Sequence, residues 1–170
     1  MKKLSLTILL KTIFSAISVI IMISFSDSLA QQPPDIEWDK TFGGSNYDEA
    51  HSIIQTTDDG YVVCGCTRSK GAGASDFWMI KLNKYGEKQW DKAFGGSNND
   101  HEESTIQTTN GGYAVAGYTS SKVAGEYDFW VLKLNKYGEK QWDKTFGGSD
   151  RDEANSIIQT TDGEIGRAHV

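Results

Sequence analysis

Proline and cysteine are nearly absent from this chain: 2 of each in 170 residues, with 3 methionines and 3 histidines. Both prolines, Pro33 and Pro34, come before the patterned sequence begins, so the remainder lacks the residue that most firmly interrupts a backbone ladder. Two cysteines are too few for a disulfide-stapled scaffold. Cys64 and Cys66 stand either side of Gly65, and strand positions two apart lie roughly 6.6 Å apart, the far end of disulfide reach. They are read as two small buried apolar side chains, and a CxC metal pair is disfavoured because no further Cys or His recurs with them. The histidines, His51, His101 and His169, fall at no equivalent positions, so neither a nucleophilic set nor a histidine metal cluster is predicted. A phosphate-cradling loop is also missing, since Gly71-Ala72-Gly73 does not open a helix.

Basic charge is in deficit. The chain carries −6 at pH 7, with lysines dispersed among Asp and Glu, which argues against a nucleic-acid partner. Its only long apolar run lies in the first thirty residues: Lys2 and Lys3, an apolar stretch to Phe25, then Ser28-Leu29-Ala30. This is the three-part pattern of a secretory signal peptide at 1–30, cleaved after Ala30. Lys11 divides the run, leaving less than the ~20 residues a spanning helix needs, so the membrane is expected to be met only through the leader during export. Loss of the leader removes three lysines and one aspartate, leaving −8 on the mature chain, a charge that keeps an exported protein soluble.

What the chain has in abundance is a repeat. Trp38, Trp90 and Trp142 each open Trp-Asp-Lys-(Thr/Ala)-Phe-Gly-Gly-Ser at an interval of 52 residues, and residues 38–89 and 90–141 match at 35 of 52 aligned positions. The predicted organisation is a short linker and strand start at 31–37, repeat one at 38–89, repeat two at 90–141 and a partial third at 142–163. After Gly163 the template calls for glycine and tyrosine, whereas the chain reads Glu164-Ile165-Gly166-Arg167-Ala168-His169-Val170; residues 164–170 are therefore expected to be a non-native tail.

Four strands are predicted per period: Ala50 to Thr56, Tyr61 to Thr67, Phe77 to Asn83 and Lys88 to Phe94. Thr57-Asp58-Asp59-Gly60 and Lys84-Tyr85-Gly86-Glu87 supply turns, because Gly accepts positive φ and Asp tolerates it. Tyr61 to Thr67 and Phe77 to Leu82 lack clean alternation, which predicts coverage on both faces. Four short antiparallel strands at a period near 50 predict an all-β chain of β-propeller blades, here an incomplete propeller. Ile36 to Phe42 reads as a lone fourth strand. Apolar residues of the outermost faces, such as Val131 and Leu132, are expected to meet water.

The recurring Trp-Asp-Lys-(Thr/Ala)-Phe-Gly-Gly-Ser, followed by Ile-Gln-Thr-Thr, Gly-Tyr, Asp-Phe-Trp and Lys-Leu-Asn, resembles the secreted bacterial β-propeller repeats of exported and cell-surface proteins, over about Ile36 to Gly163. The resemblance implies a secreted, periplasmic or cell-surface location, in a family whose repeats often stand ahead of a C-terminal sorting or adhesion module, but no particular activity. Residues 82–90 are also similar to the tryptophan-docking motif of quinoprotein propellers. The rest of that motif departs, so no cofactor is carried over.

The residues that recur have plain structural readings. Trp38, Trp90 and Trp142, with Phe42, Phe94 and Phe146, are the repeat signature and are expected to pack between neighbouring blades, each indole contributing up to ~4 kcal/mol by area; sugar stacking is the alternative for the tryptophans. Asp48, Asp100 and Asp152, in Gly-Gly-Ser-x-x-Asp, are expected to close turns through backbone amides, with a calcium site as the alternative. No catalytic residues are gathered. The expected function is a non-catalytic surface interaction or scaffold module with a protein or glycan partner; the alternative is part of a secreted glycan-active hydrolase or lyase whose site lies on other blades or domains.

Overall fold

The computed structural model describes residues 37–122 and 126–167. The chain divides into a unit Met1–Glu37 and a unit Trp38–Val170. The expected leader, Ile36 and His169 lie outside the described residues, and the second unit alone is treated below.

All its regular structure is β. One antiparallel meander is formed by β1 (Asp48–Gln55), β2 (Tyr61–Thr67), β3 (Asp76–Leu82) and β4 (Lys88–Phe94), and a second by β5 (Asp100–Gln107), β6 (Tyr113–Thr119), β7 (Asp128–Leu134) and β8 (Lys140–Phe146). A hairpin of β9 (Ile157–Gln159) and β10 (Ile165–Arg167) follows. Residues 165–167, in the expected tail, thus stand where the template places the start of a second strand. The first strand of each meander carries a bulge, between Ala50 and Ser52 in β1 and between Glu102 and Ser104 in β5.

The predicted strands shift by one or two residues at their ends. β1 starts at Asp48, whose carboxylate accepts the Thr67 hydroxyl across the ladder, and it stops before Thr56, which closes the turn by donating its N–H to Gly60 O at 2.9 Å. β3 stops before Asn83 because Asn83 Oδ1 accepts the Tyr85 and Glu87 amides at 2.9 and 3.0 Å. The expected strand at Ile36 to Phe42 is not formed over its described part, 37–42. A fourth strand needs a third strand as ladder partner, and β3 and β7 already carry β4 and β8.

The meanders stack face to face, as the burial of every β3 residue requires. Val62, Cys64, Phe77 and Met79 meet Tyr113, Val115, Trp130, Leu132 and Leu134 in the layer between the two sheets. Ala114, Ala116, Phe129 and Val131 meet Ala154, Ile157 and Ile165 on the far side of the second sheet. Trp78, Ile80 and Leu82 lie under Trp38 and Phe42 on the far side of the first. Val131 and Leu132 are therefore buried, contrary to the sequence expectation: Leu132 points into the inter-sheet layer and Val131 is covered by the partial third repeat.

The Trp that opens each repeat docks on the turn between the third and fourth strands of the sheet that follows it, β3–β4 for Trp38 and β7–β8 for Trp90. A Cβ on Gly86 would lie 2.6 Å from the Trp38 ring, and one on Gly138 would lie 2.9 Å from the Trp90 ring; both glycines also have φ of 72°. Trp38 Nε1 donates to Lys84 O at 3.2 Å. Further along the seam the Thr57 amide donates to Gln107 Oε1 (2.9 Å) and the Thr109 amide to Gln159 Oε1 (2.8 Å), while Asp100 N and Asp152 N donate to Ser75 O and Tyr127 O.

The β1–β2 turn holds Asp59 at φ 60°, where the second and third repeats place Gly111 (φ 78°) and Gly163 (φ 89°). A side chain costs energy in this left-handed region. Asp59→Gly should raise stability by ~0.5–1 kcal/mol, read as a higher urea midpoint at unchanged slope; a lower midpoint would show that Asp59 contributes a contact of its own.

Candidate functional site

The recurring polar residues are consumed in internal bonds. Asp48 Oδ2 accepts the Gly44 amide (2.8 Å) and the Ser69 hydroxyl (2.7 Å), and Oδ1 accepts the Thr67 hydroxyl. Asp100 repeats this with the Gly96 amide (2.9 Å), Ser121 (2.7 Å) and Thr119, and Asp152 accepts the Gly148 amide at 2.9 Å. Burial raises the Asp48 pKa, but the Thr67, Ser69 and Gly44 hydrogen bonds outweigh it and the net shift is downward. These aspartates fasten the Gly-Gly-Ser turn to the end of the second strand. A second carboxylate, Asp76, accepts the Ala72 and Gly73 amides through Oδ2 at 3.0 and 3.3 Å. Its Oδ1 and the Oδ2 of Asp100 both lie within 2.6 Å of the point a Cβ on Gly95 would take; burial, then the charge of Asp100, pushes the Asp76 pKa up.

Two further stations recur. The Trp78 indole donates to Asp91 Oδ2 at 3.1 Å, and Asp91 also binds Lys70 and, at 2.9 Å, Lys88; burial opposes its ionisation, yet these partners bring its pKa down to about 2. Trp130, Asp143, Lys122 and Lys140 repeat the set. Lys81 is buried with its ammonium on Thr56 Oγ1 (3.0 Å), Asp58 Oδ1 (3.0 Å) and Leu82 O (2.9 Å). Lys133 repeats Lys81, but neutral Asn110, at 3.5 Å, stands where Asp58 stood, and burial lowers the Lys133 pKa.

Residues that differ between repeats collect elsewhere. Most mismatched positions fall in 47–53, 62–68 and 71–75 and their counterparts, that is at the start of the first strand, along the second and in the loop into the third, so many share one rim of the stacked sheets. Arg68 lies over the Tyr47 ring (5.6 Å), His101 stacks on Tyr118 (5.2 Å, 11°), and Arg151 lies over both Tyr118 (5.8 Å) and Tyr127 (5.2 Å). Glu102, fully buried behind this rim, accepts the Thr105 hydroxyl through Oε1 at 2.8 Å, and burial pushes its pKa up to about 7.

Within the rim, Glu49, His51 and Cys66 bring a carboxylate oxygen, an imidazole nitrogen and a thiol within 4.8 Å of one another. Glu49 pairs with Cys66 across the β1–β2 ladder, and His51 sits at the bulge. The thiols of Cys64 and Cys66 are free and buried. Sequence reasoning passed over this set because it searched for residues that recur, and repeat two has His101, Glu103 and Tyr118 at these positions. The hairpin register carried no signal for it: a regular ladder from the turn at residues 57–60 sets Ala50 opposite Cys66, and only the bulge between Ala50 and Ser52 moves Glu49 there. Comparison with protein-family models and with curated proteins found no match.

The Lys81 and Lys133 stations differ chiefly in one partner, Asp58 against Asn110. Asn110→Asp should stabilise the protein by about 0.5–1 kcal/mol at pH 7, measured by urea unfolding; no gain would mean that Thr108 Oγ1 (2.9 Å) and Leu134 O (3.0 Å) already satisfy the Lys133 ammonium.

Proposed function

We propose that the chain is part of an exported β-propeller whose repeats act as a non-catalytic surface interaction or scaffold module, in a secreted, periplasmic or cell-surface setting. The observation that carries this reading is a division of labour between residues: most of those that recur are used in turns, ion pairs and packing between sheets, whereas varying residues at positions 47, 49, 51, 66 and 68 and their counterparts gather on one rim. A binding face built on repeats has this form, with a constant scaffold presenting a changing surface. Support for the propeller comes from the period of 52, the four-stranded meander, the face-to-face stacking and the adjacency of β1 with β5 and β5 with β9, the order that first strands take around an axis. The leader pattern at 1–30 supports export.

The rim offers aromatic faces and both signs of charge, suited to a glycan or protein surface. With immobilised polysaccharides and surface proteins, the full chain should retain a ligand without altering it. The combined variant Tyr47→Ala, His101→Ala, Arg151→Ala should lower retention by at least about tenfold, one hot-spot contact's worth, with its β circular dichroism intact. Release of new reducing ends or unsaturated sugars would instead favour the hydrolase or lyase reading.

A further inference from the structure

We propose that Glu49, His51 and Cys66 form a binding site for a zinc-class divalent cation at the seam between the first two repeats. The inference stands on these three side chains and does not depend on the propeller or on export.

The imidazole is oriented as a ligand. His51 Nδ1 lies 2.7 Å from Glu102 O, a carbonyl that can only accept, so Nδ1 carries the proton and Nε2 is left with its lone pair. Nδ1–H held by a carbonyl, with Nε2 turned to the cation, is the usual outer-shell arrangement of a metal-binding histidine. Nε2 faces Glu49 Oε2 at 3.4 Å. That is longer than an ordinary N–H···O hydrogen bond, and it matches the edge of a tetrahedron with metal–ligand bonds of about 2.0–2.2 Å, which is about 3.4 Å. Glu49 is itself oriented, because the Tyr47 hydroxyl donates to the same Oε2 at 2.5 Å.

Charge and softness agree with this geometry. A carboxylate, a neutral imidazole and a thiolate sum to −2, so a divalent ion is neutralised without stranding charge beside the buried Cys66. Mixed thiolate, imidazole and carboxylate donors select a borderline-soft ion such as Zn²⁺ over Ca²⁺ or Mg²⁺. Arg68 is the nearby cationic group and tempers the affinity, while Asp48 adds negative potential and Glu102, 4.0 Å from His51 Nδ1, adds more where it is ionised; burial lowers the pKa of the neighbouring His101 and favours its neutral form. Glu49 and His51 open to solvent at the rim and Cys66 closes the floor, so a fourth ligand would come from water. The register makes the set specific to the first repeat: the counterparts His101 and Tyr118 are stacked on each other.

Co²⁺ reports on such a site, because a bound thiolate gives a thiolate-to-cobalt charge-transfer absorption. The full chain, stripped with a chelator and titrated with Co²⁺, should develop that band with one equivalent, and Zn²⁺ should displace it. Cys66→Ser should abolish the band and Cys64→Ala should retain it. His51→Gln and Glu49→Gln should each weaken Co²⁺ binding by more than about 100-fold, the upper range for loss of a mere outer-shell partner. Circular dichroism checks the sheets; if Cys66→Ser does not fold, His51→Gln, altered at the surface, carries the test through its Co²⁺ affinity. No band in the parent chain, a band that survives in Cys66→Ser, or unchanged affinity in His51→Gln would each overturn the proposal.

Discussion

Everything in this protein depends on an indole lying flat against a glycine turn. The Trp of each Trp-Asp-Lys segment covers the Tyr-Gly turn of the following sheet, Trp38 on Gly86 and Trp90 on Gly138, at a spacing no Cβ would permit. A four-stranded meander buries too little by itself, and its inner strands are apolar on both faces; the docked Trp brings the next sheet close enough to cover them. The edge contacts at Trp38–Tyr61 (5.4 Å) and Trp90–Tyr113 (5.9 Å) join the indole to the second strand of the same following sheet. One contact thus sets both the distance and the register of neighbouring sheets.

The polar residues follow from that stacking. Once β2, β3, β6 and β7 are covered on both sides, any charge they carry must be met from within: Lys81 and Lys133 turn back onto the first hairpin, and Asp76 is met by loop amides. The outer edge strands β4 and β8 present lysines to solvent and route Asp91 and Asp143 to the Trp78 and Trp130 indoles. Only the rim escapes these demands. It carries a cluster of residues that change from repeat to repeat, and the Glu49–His51–Cys66 set lies among them.

Much of the fold was legible because its causes are local. The Asp-Gly and Tyr-Gly turns, the period and the unbroken apolar character of Phe77 to Ile80 place the strands to within two residues, and two non-alternating strands per repeat imply sheets covered on both sides. What was not legible depends on partners remote in sequence. Residues 37–42 look like a fourth strand in composition, but strand identity requires a free ladder partner. Val131 was expected at the surface because the covering power of residues 154–165 is not visible in the sequence of the partial third repeat, and Leu132 because its burial depends on which face of β7 meets the first sheet. The rim set escaped for a different reason: repetition reveals what the scaffold needs, and a site made in one copy appears in that comparison only as mismatch. Its geometry also requires the bulge between Ala50 and Ser52, which no single residue announces.

The central claim, that neighbouring sheets are held together by Trp docking on the glycine turn of the following sheet, is tested most directly by comparing Trp90→Ala with Trp142→Ala in urea unfolding. The two residues occupy the same ladder position opposite Lys81 and Lys133, but Trp90 lies on Gly138 whereas Trp142 remains 39% exposed. The account predicts a loss of ~3–5 kcal/mol for Trp90→Ala and less than about 1 kcal/mol for Trp142→Ala. Equal losses would contradict it, because the stabilisation would then come from the indole's place within its own sheet and not from the sheet that follows.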